Sequence, residues 1–375
     1  MMSSRTLLST AAALCALPSA LGAWSNLTLE DYQLKQSGYS DFIADLDKVL
    51  PIVSVKDVLA DTNHANPDSS PEVSNLVSSY TWENVDGYDD VNTLKWYPQG
   101  ITTTADASES GDYDGDVVHL VSWHSDDYDG GKRGPRISFV NMNDGADRAY
   151  RNALLVEPTA GGDTPDFKAL DGLHAGGIVW YGDLLYVAWT TGGFRVFDLK
   201  HIYQVSIGDG NGLVDGEYQA FNYKYVIPQV RTYDYIPKDG VKGFHFSFAS
   251  LDRTSNTLVT GEYFKDTTPN RLINFNLDTS TNLLQVNDDG IATASLGVEH
   301  EIVKIQGGIT INEKYYLTQS GGSLWTFSWL GGEKENADVF PSIPEDLSYQ
   351  AGYGLWSLME VPGKRHVVAF DADKF

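Results

Sequence analysis

The hydrophobic and polar positions follow a motif that recurs along the chain: a polar residue, one or more small residues, and then an apolar run. The motif occurs at Gln99-Gly100-Ile101, His174-Ala175-Gly176-Gly177-Ile178, Gln306-Gly307-Gly308-Ile309 and, more loosely, Glu345-Asp346-Leu347. Aromatic or β-branched runs broken by turn residues follow each occurrence, which predicts a series of β-strands. Because this pattern returns at intervals of a few tens of residues, the sequence predicts a repeat architecture such as a propeller.

Five units of this kind align, and they begin at Gln99, His174, His245, Gln306 and Glu345. The fifth unit ends with the chain, one strand short of a four-stranded propeller blade. We therefore predict an all-β protein in which residues 80–375 form a five-bladed β-propeller. Six blades are the alternative if residues 24–95 contain a complete blade. The missing outer strand is expected from residues 80–84, because that pairing would remove a free sheet edge.

The N-terminal part differs from the repeated region. Arg5, an apolar stretch over residues 7–16 and small residues at 20–23 predict a secretory signal peptide over residues 1–23. We therefore expect a secreted protein, with Asn26 of the sequence Asn26-Leu27-Thr28 available for glycosylation. Residues 24–79 are predicted to be a short helical extension and linker, since residues 37–46 carry apolar residues at helical spacing.

Composition and charge limit the chemistry. The only cysteine, Cys15, lies in the predicted signal peptide, so the mature chain has neither disulfides nor a thiolate nucleophile nor a cysteine-ligated zinc. A formal charge of −25 repels nucleic acid and anionic lipid surfaces. No nucleotide, phosphate-loop or metalloprotease motif occurs. We expect no cofactor and no metal, no nucleic-acid or membrane partner, and a monomer that takes a small-molecule ligand.

Propeller geometry gathers the candidate site residues. In a propeller the first strand of each blade lines the central channel. The residues that begin the units should therefore form a ring at one end of that channel. The ends of the second strands should lie at the same end. His174 and Glu345 are the predicted catalytic residues, because an imidazole and a buried carboxyl can form an acid–base pair near neutral pH. The predicted substrate-binding residues are Gln99, Trp123, His124, Trp189, His245, Glu262, Tyr263, Gln306, Gln319 and Glu360. For each polar residue the alternative is a structural role, in which it bonds neighbouring backbone and holds the ring together.

Three segments resemble those of a family of secreted propeller proteins in fungi and filamentous bacteria. They are Trp96-Tyr97-Pro98-Gln99-Gly100-Ile101, Leu173-His174-Ala175-Gly176-Gly177-Ile178-Val179-Trp180-Tyr181-Gly182 and Pro344-Glu345-Asp346-Leu347-Ser348-Tyr349. The resemblance covers about residues 80–370. It extends to the fungal branch of propeller proteins of the core trichothecene cluster. That branch implies secondary metabolism: the biosynthesis of a sesquiterpenoid mycotoxin of the trichothecene type, through a late ring closure without redox chemistry.

Three functions remain open from the sequence. The leading hypothesis is an enzyme or specific binder for a small, largely apolar metabolite, in which His174 and Glu345 exchange protons and Trp123 and Trp189 exclude water. The second is a secreted carbohydrate-active hydrolase or lyase, because paired carboxylates and aromatic platforms suit sugars. The third is a non-catalytic secreted interaction protein, such as a virulence effector.

Overall fold

Antiparallel strands build the repeated region. The computed structural model describes residues 24–126, 133–143, 148–161 and 164–375, and the predicted signal peptide lies outside these residues. Within them the chain is all-β, with short helices between and around the sheets. No helix of the described residues is long and apolar enough to cross a membrane.

The first three repeated units each fold into four antiparallel strands that follow one another across the sheet. The strands of unit 1 are Trp96–Thr103, Val118–Ser125, Arg136–Asn141 and Ala149–Gly161. The strands of unit 2 are Ile178–Tyr181, Leu184–Trp189, Gly193–Asp198 and Tyr225–Ile236. The strands of unit 3 are Phe248–Asp252, Thr257–Gly261, Asn270–Asn276 and Leu296–His300. The outer strands of units 1 and 2 also pair with each other in parallel, with Leu154 opposite Val226.

The last two units continue this plan, and the N-terminal segment completes the final sheet. The strands of unit 4 are Ile305–Ile311, Lys314–Gln319, Leu324–Ser328 and Gly332–Asn336. Those of unit 5 are Pro344–Gln350, Gly354–Met359, His366–Phe370 and, from the N-terminal side, Leu76–Thr81. Tyr80 lies opposite Val367 in this last pairing. The closing strand thus begins slightly earlier than the sequence suggests, and it covers an edge that would otherwise be free.

The first strands of the units pack against one another around a common axis. A Cβ on Gly177 would lie 1.9 Å from the backbone nitrogen of Ala249, and one on Gly307 would lie 2.6 Å from the carbonyl oxygen of Glu345. Only glycine permits backbones to approach so closely. The small residues of the recurring motif are therefore explained by packing at the axis.

A buried carboxyl group links three units at this axis. Oδ2 of Asp346 accepts hydrogen bonds from the backbone N–H groups of Ile101 at 3.3 Å and Ile178 at 3.2 Å. Asp346 is completely buried, and among the described residues its Oδ1 has no hydrogen-bond partner. Units 1, 2 and 5 therefore meet on one side chain.

Residues 24–79 follow the outer edges of the sheets. They contain the helices Phe42–Leu46 and Val55–Ala60, and the strand Gln33–Gln36 extends the sheet of unit 2. The boundary predicted at residue 80 falls inside the strand Leu76–Thr81. The remaining strands are Ser25–Asn26, Ile52–Val53, His64–Ala65, Asn84–Val85, Tyr88–Asp89, Thr164–Ala169, Ile202–Gln204, Asn211–Val214, Glu217–Ala220 and Ile291–Thr293. The remaining helices are Thr104–Ala107 and the 3-10 turns Leu29–Asp31 and Ala372–Lys374.

Candidate functional site

The first strands begin at one end of the ring, and the antiparallel second strands finish there. Two glutamate–glutamine pairs lie at this end, which we call the glutamate end. Nε2 of Gln99 donates to Oε2 of Glu360 at 2.8 Å, and Nε2 of Gln306 donates to Oε1 of Glu345 at 2.8 Å. Glu360 is close enough for its charge to act on Glu345. The structure thus brings together four of the residues that the sequence selects.

Burial changes the ionisation of these carboxyl groups. Glu345 is 3% exposed, and its burial, with Glu360 and Asp346 nearby, raises the pKa of Glu345 well above its ordinary value. Burial also raises the pKa of Glu360, against the hydrogen bond from Gln99 and the positive charge of Arg365. The protonated form of Glu345 is therefore strongly favoured by its surroundings, while Glu360 keeps partial access to solvent.

Arg365 supports this end and was missed by the sequence reasoning. Its side chain is completely buried, and its Nε donates to the carbonyl oxygen of Glu360 at 2.8 Å while Nη1 donates to that of Asp90 at 2.9 Å. Among the described residues Nη2 has no partner. Burial lowers the pKa of Arg365 to about 10, so the group remains a cation. Its sequence context, a Pro-Gly-Lys turn, is typical of an exposed basic loop and carries no signal of burial.

Two histidines from different parts of the chain stack at the same end. The rings of His124 and His174 have centroids 4.4 Å apart, and their planes make an angle of 28°. The ring of Tyr97 also stacks on His124, with centroids 5.3 Å apart. They border a cavity of about 240 Å³. Its lining consists of His124, Ser125, Asp126, Gly134, Leu170, Gly172, Leu173 and His174. The positive charge of Arg365 acts to lower the pKa of both Glu360 and His124, so these three side chains lie at the same end of the ring.

The surrounding protein keeps both imidazoles neutral. Burial lowers the pKa of His124. His174 keeps solvent access, yet the protein atoms around its ring, and then the neighbouring His124, lower the pKa of His174 to about 4. At neutral pH both rings can therefore accept a proton.

The two predicted aromatic walls have different surroundings. Trp123 is completely buried and donates from Nε1 to Oγ of Ser138 at 2.9 Å, so it is a core residue that offers no surface to a ligand. Trp189 is half-buried, and the guanidinium of Arg195 covers its ring at 4.4 Å. Neither ring forms an open platform in this conformation.

Glu262 lies in an ion pair rather than facing a cavity. It is 1% exposed, and Nε of Arg271 donates to its Oε2 at 2.6 Å. Its Oε1 accepts from the backbone N–H of His245 at 3.1 Å. The imidazole of His245 packs on Phe264 with ring centroids 4.9 Å apart. This arrangement anchors the start of unit 3.

Tyr263 and Gln319 also have structural partners. The backbone N–H of Tyr263 donates to Oγ of Ser247 at 3.0 Å, and its side chain is partly exposed. Nε2 of Gln319 donates to the carbonyl oxygen of Val303 at 2.8 Å, while its Oε1 accepts from Nε1 of Trp325 at 3.1 Å. Both the amide nitrogen and the amide oxygen of Gln319 therefore have hydrogen-bond partners, one in unit 4 and one in the segment that precedes it.

Two further features concern modification and metal binding. Asn26 is exposed in the edge strand Ser25–Asn26, which pairs with Leu296–His300, so its side chain is accessible to a glycosyltransferase. Across the described ranges, no group of three or more histidine, cysteine or acidic side chains is placed to hold a metal ion.

Four-stranded antiparallel sheets around a shared axis define a β-propeller.

No family model matches the sequence, and no curated protein matches it significantly. Among solved structures, a glucose dehydrogenase is similar at 11% identity, covering 93% of this chain and 99% of that one, with a TM-score of 0.41. The β-propeller domain of Myceliophteria thermophila Cps50 (Swd1) is similar at 10% identity, covering 82% and 99%, with a TM-score of 0.33. Hydrazine synthase of Kuenenia stuttgartiensis is similar at 13% identity, covering 73% and 77%, with a TM-score of 0.31. These scores are too low to support any statement about the function of this chain.

Proposed function

We propose that this chain is a five-bladed propeller whose glutamate end acts on a small, largely apolar metabolite by acid–base chemistry. Five antiparallel units support the blade count, since each contributes its first strand to the axis and the N-terminal strand Leu76–Thr81 completes the fifth. On this reading, residues 24–75 are an extension that carries the two short helices. Secretion and glycosylation at Asn26 belong to the same proposal.

One observation carries the chemical part of the proposal. At the glutamate end, the surrounding protein raises the pKa of Glu345 and Glu360 and lowers the pKa of His124 and His174, which favours the neutral form of these four groups. A neutral carboxylic acid can donate a proton, and a neutral imidazole can accept one. The site therefore holds an acid and a base in their active forms at the same pH.

This pairing suits a ring closure that loses water. A substrate hydroxyl attacks a carbon atom that bears a second hydroxyl, a C–O bond forms, and the older C–O bond breaks. Glu360, the more accessible carboxyl, protonates the leaving oxygen so that it departs as water, and His174 takes the proton of the attacking hydroxyl. The nearby carboxyl group of Glu345 is held by the hydrogen bond from Gln306. The resemblance to the trichothecene-cluster propellers supports a sesquiterpenoid substrate and a late step.

The proposal is tested with the purified mature chain and a hydroxylated trichothecene precursor that has not undergone its last ring closure. We expect a product that has lost one water, and Glu360→Gln should lower turnover by about 10²- to 10⁴-fold, the range for loss of an acid–base group. Glu301→Gln, at an exposed glutamate, is the matched control. Wild-type turnover in Glu360→Gln would contradict the proposed role of Glu360.

The same experiment separates the other functions. Tight binding of the precursor without conversion would show a binding protein. The carbohydrate hypothesis receives no support from the geometry, because Trp123 is buried and Glu262 is held by Arg271. Release of sugar from an oligosaccharide would nevertheless restore it.

A further inference from the structure

Another cavity lies at the opposite end of the axis from the glutamates. It has a volume of about 590 Å³ and lies where the first strands of units 1, 3, 4 and 5 end. This volume is within the range of roughly 300 to 1,000 Å³ found for small-molecule sites. None of the residues predicted from the sequence lines this cavity.

A buried hydroxyl group without a partner lies in its wall. Thr310 lines the cavity and is 7% exposed, and among the described residues its Oγ1 has no hydrogen-bond partner. A buried hydroxyl that lacks a partner lowers stability, so such groups are rare unless they have a ligand or a strain-related role. Because this oxygen has almost no accessible surface, a change of the Thr310 rotamer would bring its hydroxyl to a ligand hydroxyl in the cavity.

The carboxyl group of Asp106 is positioned on the neighbouring wall. Its Oδ2 accepts from Oγ1 of Thr102 at 2.8 Å, from Oγ of Ser348 at 2.7 Å and from the backbone N–H of Thr103 at 3.3 Å. All three bonds converge on one oxygen. The second oxygen, Oδ1, is thereby left as the one that can meet a ligand.

A single arginine completes the polar wall. Nε of Arg253 donates to the carbonyl oxygen of Ala105 at 3.1 Å, and Nη2 donates to that of Asp106. These bonds hold the guanidinium against the helix Thr104–Ala107, at the edge of the cavity. Backbone carbonyl groups, rather than flexible side chains, therefore fix the position of the Arg253 guanidinium.

The balance of charge and apolar surface indicates the kind of ligand. Three acidic side chains and Arg253 line the cavity, which disfavours an anion. The acidic ones are Asp106, Glu109 and Asp252. Leu251, Ile311 and Tyr349 add apolar surface beside them. We propose that this cavity binds a neutral small molecule that carries hydroxyl groups on an apolar skeleton, at a site separate from the glutamate end and independent of the function proposed there.

Titration calorimetry with terpin, a cyclic monoterpene diol, tests this site on the mature chain. We expect saturable binding of terpin and at least tenfold weaker binding to Thr310→Val. Because valine removes a hydroxyl that no protein atom satisfies, the melting temperature of Thr310→Val should be unchanged or higher. Thr293→Val, at an exposed strand position outside the cavity, should bind as the wild type does.

Further variants make each outcome decisive. Tyr349→Ala removes an exposed part of the wall and should also weaken binding; it replaces Thr310→Val if that variant fails to fold. Glu360→Gln should bind terpin normally, because Glu360 lies at the other end. Equal affinity of the wild type and Thr310→Val, loss of binding in Glu360→Gln, absence of saturable terpin binding, or tighter binding of the all-polar inositol would each overturn the proposal.

Discussion

His124 and His174 stack with their ring centroids 4.4 Å apart, although one ends a strand of unit 1 and the other precedes unit 2. The contact joins two neighbouring units at the glutamate end. His124 lowers the tendency of His174 to take up a proton, because two positive charges at this distance repel. The stack therefore helps to keep His174 neutral at the same end of the ring as the two carboxyl groups.

His174→Ala should lower turnover by about 10²- to 10⁴-fold if His174 accepts a proton in the reaction. The fold should survive, because the residue is exposed and no hydrogen bond of its ring is seen among the described residues. Thermal midpoint and product formation are measured on the same purified variant. His201→Ala is the control, since His201 bonds Asp47 away from the site. Retained turnover with a lowered midpoint would make His174 structural.

The rate should also depend on pH through His174. With a pKa of about 4 for this imidazole, the base is neutral at higher pH and protonated at lower pH. Turnover is thus expected to fall as the pH drops through 4, and to fall again at higher pH as the general acid Glu360 loses its proton. A pH–rate profile with its acidic limb near pH 6.5 instead would show that another group accepts the proton.

The buried acids Glu345 and Asp346 should stabilise the fold less as the pH rises. Burial raises the pKa of Glu345 and Asp346 well above their ordinary values. Above about pH 4 the unfolded chain releases protons that the folded chain keeps. Each of these two groups should therefore contribute less to the free energy of unfolding as the pH rises, by up to ~1.4 kcal/mol per pH unit, until its folded-state pKa is reached.

Asp346→Asn tests this dependence at one position. The amide cannot ionise, so the variant should melt at a higher temperature than the wild type at pH 8 and should lose that advantage at pH 4. Asp288→Asn, at an exposed carboxylate, is the matched control. Parallel melting curves of Asp346→Asn and the wild type across this range would contradict the buried-acid argument.

Glu262→Gln should destabilise the fold by about 3–5 kcal/mol, since it leaves the buried guanidinium of Arg271 without its counter-charge. The measurement is the urea midpoint with its m-value. Turnover of the fraction that remains folded should match the wild type. An unchanged midpoint together with lost substrate binding would contradict this structural role and would support the substrate-binding role that the sequence predicts for Glu262.

A disulfide between Ser78→Cys and Ala369→Cys should stabilise the closed ring by about 2–4 kcal/mol, because it restricts the unfolded chain. Residues 78 and 369 lie opposite each other where the N-terminal strand meets the last strand. The native Cys15 falls in the predicted signal peptide, so the mature double variant holds only the two introduced thiols. Failure of these thiols to oxidise in the native state would argue against this pairing, and the reduced protein is the control.

The sequence alone determined the repeated strands and the end of the ring at which the polar motif residues lie. Both follow from local patterns: apolar runs between turn residues, and glycines where backbones meet at the axis. Strand direction then places Gln99, Gln306 and Glu345 at one end. The pairing of Gln99 with Glu360, 261 positions apart, has no such local signal.

Only the tertiary structure decided which of these residues are accessible and how they ionise. Trp123 and Glu262 are residue types that often line binding sites. Packing against distant residues nevertheless buries Trp123, and Arg271 forms an ion pair with Glu262. The sequence around Arg365 is typical of an exposed turn, but the structure buries this side chain completely. The cavity beside Thr310 forms between hairpins of separate units. Burial and charge contacts depend on residues that are distant in the chain, and pKa values follow from them, so local sequence patterns do not reveal these properties.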